Sequence, residues 1–254
     1  MTETTTQQAT SSELLAVESS RRLRNSKRVF AGIGLPTLAV ALARQTVNPQ
    51  LEQVFESGVC GAHPKRLPET IADAPLATGA EAIRPMHALF AYVLQGGYID
   101  VGFLGAAQID RWGNLNSTVI GDYDNPRVRL PGSGGAAEVM ANSREVFVVL
   151  RRHDTQTFVD RLDFNTSPSP RGRSAQGRAR GVTTVITPLG VLEADATGEL
   201  VLTQVHAGVD PEAVAAATGW PLKVVDAPTT TEPPTPRELD LLRNSIDPGR
   251  VYLR

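Results

Sequence analysis

The stretch Arg28–Pro36, RVFAGIGLP, limits what the chain can fold into more than any other feature. A short apolar run enters a glycine turn. Pro36 then suits the first turn of a helix, where its missing N–H costs no hydrogen bond. The same succession recurs downstream. Leu51–Phe55 reads as a second strand. HALFAYVLQGG (87–97) reads as an amphipathic helix, with Gly96 and Gly97 suited to a left-handed C-terminal cap. YIDVGFLGAAQI (98–109) and EVFVVLR (145–151) read as buried-type strands. Strands that alternate with helices need crossover connections. The pattern therefore predicts the α/β class: an open mixed, mostly parallel sheet flanked by helices.

The flanks fit that frame. Thr10 and Glu13 have capping-box spacing ahead of a helix over 11–25. Beyond residue 181, VTTVITPLGVLEAD and ELVLTQVH read as two short strands joined by turns, DPEAVAAATG as a capped helix and TPRELDLLRNSIDPG as a C-terminal helix. Residues 1–10, polar and Thr-rich, are expected to form a disordered tail, with a single domain over 11–254. TSPSPRGRSAQGRARG (166–181) has Pro, Gly and arginines but no apolar period, and reads as a mobile loop.

Composition removes several function classes. The formal charge of -2 over 254 residues gives no electrostatic case for nucleic acid or an anionic membrane. A single cysteine, Cys60, excludes an internal disulfide framework and reads as a small packing residue. His63, His87, His153 and His206 lack metal-ligand spacing, so no metal site is expected. No apolar run approaches the ~18 residues of a membrane span, and the N-terminus lacks a signal-peptide pattern, which points to the cytoplasm.

Three segments carry more glycine and polar residues than packing needs. In GIGLP, Gly32 and Gly34 form a strand-to-helix turn that is either a plain tight turn or a place where backbone N–H groups meet an anion. The block 105–138 holds Gln108, Asn116 and Ser117, and closes with Gly132, Gly134 and Gly135. It reads either as a solvated hairpin or as a pocket wall, with GSGG amides ahead of a helix near Ala136. In EQVFESGVCGAH (52–63), Glu56 ends a strand where Ser57 and Gly58 leave room for a bulky ligand. As a residue alone it is either a surface acid or a presented carboxylate. Strand ends in open α/β sheets are where ligands bind.

In this order, the three segments resemble the β subunit of class I CoA-transferases, and among them the β subunit of glutaconate CoA-transferase. The resemblance runs from about residue 20 and is strongest in ESG (56–58), the block 105–136, TSP (166–168) and IDPG (246–249). It implies that Glu56 is the catalytic glutamate and that Gly135 supplies an oxyanion-hole N–H. It implies that Gly32 and Gly34 lie near the catalytic loop, and that the block from Gln108 to Tyr123 walls the substrate pocket. It also implies an α subunit as obligatory partner in a hetero-oligomer, no bound cofactor, and a coenzyme A thioester and a carboxylic acid as substrates. Arg84, Arg127 and Arg129 are candidates to hold a second carboxylate of a dicarboxylate, or are surface charges. VCGAHP and the arginine-rich loop depart from the glutaconate-transferase pattern and leave the acyl group open. A CoA-ester hydrolase or decarboxylase on the same fold, or a ligand-sensing subunit, are the alternatives.

Overall fold

The structure, a computed structural model, describes residues 8–64, 66–170 and 179–253. Most of the expected tail and the middle of the expected arginine-rich loop, 171–178, lie outside the described residues. The strands are β1 (Arg28–Phe30), β2 (Glu52–Val54), β3 (Val59–Cys60), β4 (Ala82–Ile83), β5 (Val101–Leu104), β6 (Gln108–Ile109), β7 (Leu115–Asn116), β8 (Val119–Gly121), β9 (Pro126–Arg129), β10 (Glu145–Val149), β11 (Val182–Ile186), β12 (Gly190–Ala194), β13 (Leu200–Val205) and β14 (Lys223–Thr230). The helices are α1 (Ser11–Arg21), α2 (Leu35–Gln45), α3 (Met86–Ala88, continued by a π-helical turn Leu89–Leu94), α4 (Ala136–Asn142), α5 (Pro211–Ala216) and α6 (Pro236–Asp240, continued by a π-helical turn Leu241–Ile246).

Ten strands form one sheet in the order β14-β13-β12-β11-β10-β5-β1-β2-β3-β4. Its centre, β2-β1-β5-β10-β11, is parallel, and antiparallel strands extend it on both sides. The mostly parallel α/β sheet predicted from the sequence is therefore the observed one. Several expectations need correction in detail. The strand expected over 98–109 ends at Leu104, and Gln108–Ile109 instead pairs with Leu115–Asn116 in a separate hairpin. Two strands expected beyond residue 181 are three, because the turn after Ile186 folds β12 back on β11. β14 escaped the sequence reading. It is an edge strand with mostly exposed residues and carries Pro228, so neither an apolar alternation nor an uninterrupted ladder marks it.

α1 is buried although its sequence is polar. Thr10 and Glu13 make the expected capping box. Glu13 and Glu18 are each 3% exposed. Glu13 accepts from Arg243 Nε at 2.6 Å, which ties α1 to the last helix. Burial opposes the Glu13 charge, yet the Arg243 pairing and the Thr10 backbone bond hold its pKa below the ordinary carboxylate value.

Two histidines are internal fasteners. His153 meets Thr187 Oγ1 at 2.9 Å and Thr218 Oγ1 at 3.0 Å, and its ring stacks on Phe158 at 3.8 Å. His206 lies between Thr231 Oγ1 and the Thr187 carbonyl. Burial lowers the pKa of His153 from 6.5 to about 4, and lowers that of His206 in the same direction. The unfolded chain therefore binds more protons than the folded one below the ordinary histidine pKa. The contribution is complete above pH 6.5 and is lost progressively toward pH 4. Urea unfolding midpoints should fall between about pH 6.5 and pH 5, above the main carboxylate range. His153→Gln should reduce that slope.

Candidate active site

Glu56 stands on a tight hairpin between β2 and β3. Phe55 N donates to Val59 O and Gly58 N donates to Phe55 O, both at 2.9 Å. Glu56, Ser57 and Gly58 thus form a three-residue loop whose last position is left-handed, with Gly58 at φ 97°. Space, as well as φ, requires glycine there. A Cβ on Gly58 would sit 1.8 Å from the Arg84 carbonyl oxygen. Phe55 anchors the loop from below, fully buried among Val59, Ala62 and Leu76. Arg44 of α2 clamps both ends of the hairpin, donating to Leu51 O and Ala62 O at 2.7 Å each. Cys60 is buried, with its thiol pKa raised by burial, and packs beside Phe30 and Val54 as the sequence predicts.

The Glu56 side chain faces the second glycine segment. A Cβ on Gly135 would lie 3.0 Å from Glu56 Oε1, and one on Gly134 would lie 3.9 Å from it. Gly135 is the N-cap of α4. That helix packs flush on β5, because a Cβ on Gly102 would meet Val139 Cγ1 at 2.4 Å. Among the described residues, neither Gly134 N–H nor Gly135 N–H has an acceptor, and the half-buried Glu56 carboxylate has no hydrogen-bond or ion-pair partner. The Ser57 hydroxyl beside it is buried without a partner. The Glu56 carboxylate and the Gly134–Gly135 backbone are therefore close neighbours, and among the described residues neither is committed elsewhere.

A cleft of about 1260 Å³ opens beside this cluster, over the C-terminal ends of β1, β5 and β10. Gly32 and Gly34 line it, with Gly34 at φ 107° starting α2. Glu56 does not line the cleft but ends the adjacent strand β2, and Ile33 touches both the cleft and the Phe55 cluster. Gln108 also lines it, yet its amide is spent inside the fold. It donates to Asp163 at 3.1 Å and accepts from Asn116 at 2.8 Å. Asn116 is wholly buried, with its second bond to Val119 O. Ser117 holds the glycine loop, its Oγ donating to Gly132 O at 2.9 Å. The structure thus brings Glu56, Gly134 and Gly135 together, places Gly32 and Gly34 on the neighbouring cleft, and sets Gln108, Asn116, Ser117 and Gly132 behind them as scaffold.

The candidate arginines separate. Arg129 donates to Tyr123 O and lies over that ring at 4.9 Å. Arg84 is exposed, and its backbone brackets Gly58. Arg127 lines the cleft. Sequence reading missed Asp163, which holds Gly121 N at 2.8 Å and thereby fixes the β8–β9 hairpin. It also missed Phe90, whose ring rests on Gly135. Both touch their partners across long sequence separations, so no local pattern announces them.

The family model for Coenzyme A transferase matches residues 13–217. The chain belongs to the Coenzyme A transferase family. It is 44% identical over 238 residues to the B subunit of 3-oxoadipate CoA-transferase from Pseudomonas knackmussii, across 91% of each chain. It is 31% identical over 257 residues to the B subunit of glutaconate CoA-transferase from Acidaminococcus fermentans, across 96% of this chain and 95% of that one. The crystal structure of the Acidaminococcus enzyme matches with a TM-score of 0.90 at 29% identity, covering 97% and 98% of the two chains. The decarboxylase AibA/AibB matches with a TM-score of 0.82 at 28% identity, covering 95% and 96%. These full-length matches make the chain a CoA-transferase subunit of the β type.

Gly58→Ala should cost more than the roughly 1–3 kcal/mol of ordinary backbone strain, because a backbone carbonyl blocks the methyl. The loss is read from denaturant unfolding, and a variant of unchanged stability would show that the loop is not pinned at Arg84.

Proposed function

We propose that Glu56 is the nucleophile of a CoA-transferase in which this chain pairs with an α subunit. The observation that carries the reading is the free Glu56 carboxylate set against the Gly135 backbone, 3.0 Å from where a side chain would begin. A carboxylate is a weak nucleophile, but a thioester is an activated acyl donor. A Glu56 oxygen attacks the thioester carbonyl and expels CoA thiolate, leaving a mixed anhydride. The thiolate then attacks the Glu56 carbonyl, releasing the donor acid and forming a glutamyl-CoA thioester. The acceptor carboxylate runs the same two steps in reverse. No proton or redox partner is consumed, so the residues need only position and stabilise.

Each addition places charge on a carbonyl oxygen. The unpaired N–H of Gly135 is suited to stabilise it, and one such donor is worth roughly 2.7–4 kcal/mol where removal has been measured. Gly32, Gly34 and Gly134 leave passage for the thioester, while Gln108, Asn116, Ser117 and Gly132 hold the wall. Contrary to the sequence expectation, Ser57 and Gly58 do not open room for the ligand but shape the Glu56 loop, with the Arg84 carbonyl filling the space beside Gly58. The relatives named as B subunits support an (αβ)n hetero-oligomer. The proposed substrates are an acyl-CoA and a carboxylic acid, dicarboxylic in the two named transferases. A cytoplasmic location is part of this proposal. Among the described residues no helix is long and apolar enough to cross a membrane.

The similarity to AibA/AibB favours decarboxylation as the second reading. The αβ complex, assayed with acyl-CoA and a free acid, should show ping-pong kinetics and CoA exchange without CO₂ release. Glu56→Gln should lower transfer by at least roughly 10³-fold, as loss of a covalent nucleophile does. Full activity in that variant, or CO₂ release without exchange, would contradict transfer through Glu56.

A further inference from the structure

We infer that Phe90 is a positioning residue that sets the approach of the Gly135 backbone to Glu56. This rests on Glu56 being the reacting group. Phe90 lies in the π-helical turn Leu89–Leu94, where Gln95 N donates to Phe90 O at 2.9 Å, one residue further than an α-helix allows. Turns of this kind recur at functional sites. The ring is half-buried and oriented by an edge-on contact with Phe30 at 6.0 Å between centroids and 68° between planes.

The far edge of the ring fills the space where a Gly135 side chain would begin. A Cβ on Gly135 would meet Phe90 Cζ at 2.6 Å, Phe90 Cε1 at 2.9 Å and Glu56 Oε1 at 3.0 Å. Two side chains from two separate segments thus close on one backbone position. The same π-helical turn is joined to α4 a second time, by Gln95 Nε2 donating to Glu138 Oε2 at 3.2 Å. Leu89, Leu94 and Val139 are buried together in one cluster with Phe30 and Val54, and Phe90 packs against it. The turn therefore fixes α4 laterally through Gln95 and sets the position of its leading glycine through Phe90. β2 carries Glu56 on the other side. Shortening the ring would let Gly135 drift and lengthen the path from its N–H to the reacting carbonyl. Extending it at Cζ would push Gly135 and Glu56 apart.

The test uses the αβ complex with Phe90→Leu, Phe90→Tyr, Gly135→Ala and the double variant Phe90→Leu/Gly135→Ala, alongside Glu56→Gln. A misplacement of about 1 Å can cost on the order of 10²-fold in rate. Phe90→Leu and Phe90→Tyr should each lower kcat by roughly 10- to 10²-fold with KM for acyl-CoA within about twofold. Thermal unfolding of Phe90→Leu, which keeps an apolar side chain, reports any general loss of fold. The double variant should fall short of the product of the single effects, because both changes act on one contact. Unchanged kcat in Phe90→Leu, an effect confined to KM, or strict multiplicativity in the double variant would overturn the inference while Glu56→Gln remains inactive. Activity retained in Glu56→Gln would instead remove the reading on which it rests.

Discussion

The site depends on steric exclusion at two glycines. Gly58 has the Arg84 carbonyl where a side chain would be, and Gly135 has Phe90 and Glu56 there. Hydrogen bonds then hold what the absent side chains permit. The hairpin closes through Phe55, and Arg44 grips both of its ends. α4 lies against β5 because Gly102 also leaves no gap. The Glu56 carboxylate and the Gly134–Gly135 N–H groups, which find no partner among the described residues, are thereby held by backbone packing, the preorganisation that the proposed reaction calls for.

The parallel sheet explains why these elements meet. β2, β1, β5 and β10 are neighbours in space but widely spaced in sequence. Their C-terminal ends bring the Glu56 loop, the Gly32–Gly34 turn and the cleft to one edge. This is where open α/β sheets present ligands. At that edge, the side chains of the Gln108–Asn116–Asp163 cluster bond to one another, with Asn116 and Gln108 buried and Asp163 exposed on the cleft. Its role is to hold the β6–β7 and β8–β9 hairpins as a stiff wall. The long α1 does similar work at a distance, pinned by Glu13 to Arg243.

Much of this was legible in the sequence where the signal is local. The capping box at Thr10 and the helix starting beside Pro36 both follow from residue chemistry over four or five positions. The family resemblance singled out Glu56 and Gly135, and the fold sets them face to face. Less legible were features that arise from contacts between distant segments. β3 and β4 are two residues each and exist only because Glu56's hairpin folds back and pairs with the stretch before Arg84. Asn116 and Gln108 read as pocket polar groups; Gln108 lines the cleft, and both are also tied into internal hydrogen bonds that composition cannot show. Phe90 looked like one apolar residue in an amphipathic helix. Its role became visible only when a π-helical turn brought its ring to Gly135.

In the proposed reaction the Glu56 carboxylate becomes covalently acylated during turnover. The most direct measurement is peptide mass spectrometry of the αβ complex incubated with acyl-CoA and trapped with borohydride. The Glu56 carboxyl, on the peptide carrying EQVFESGVCGAH, should be reduced only when acyl-CoA is present. A complex that turns over substrate while Glu56 stays unmodified, or that carries the trapped change on another residue, would contradict it.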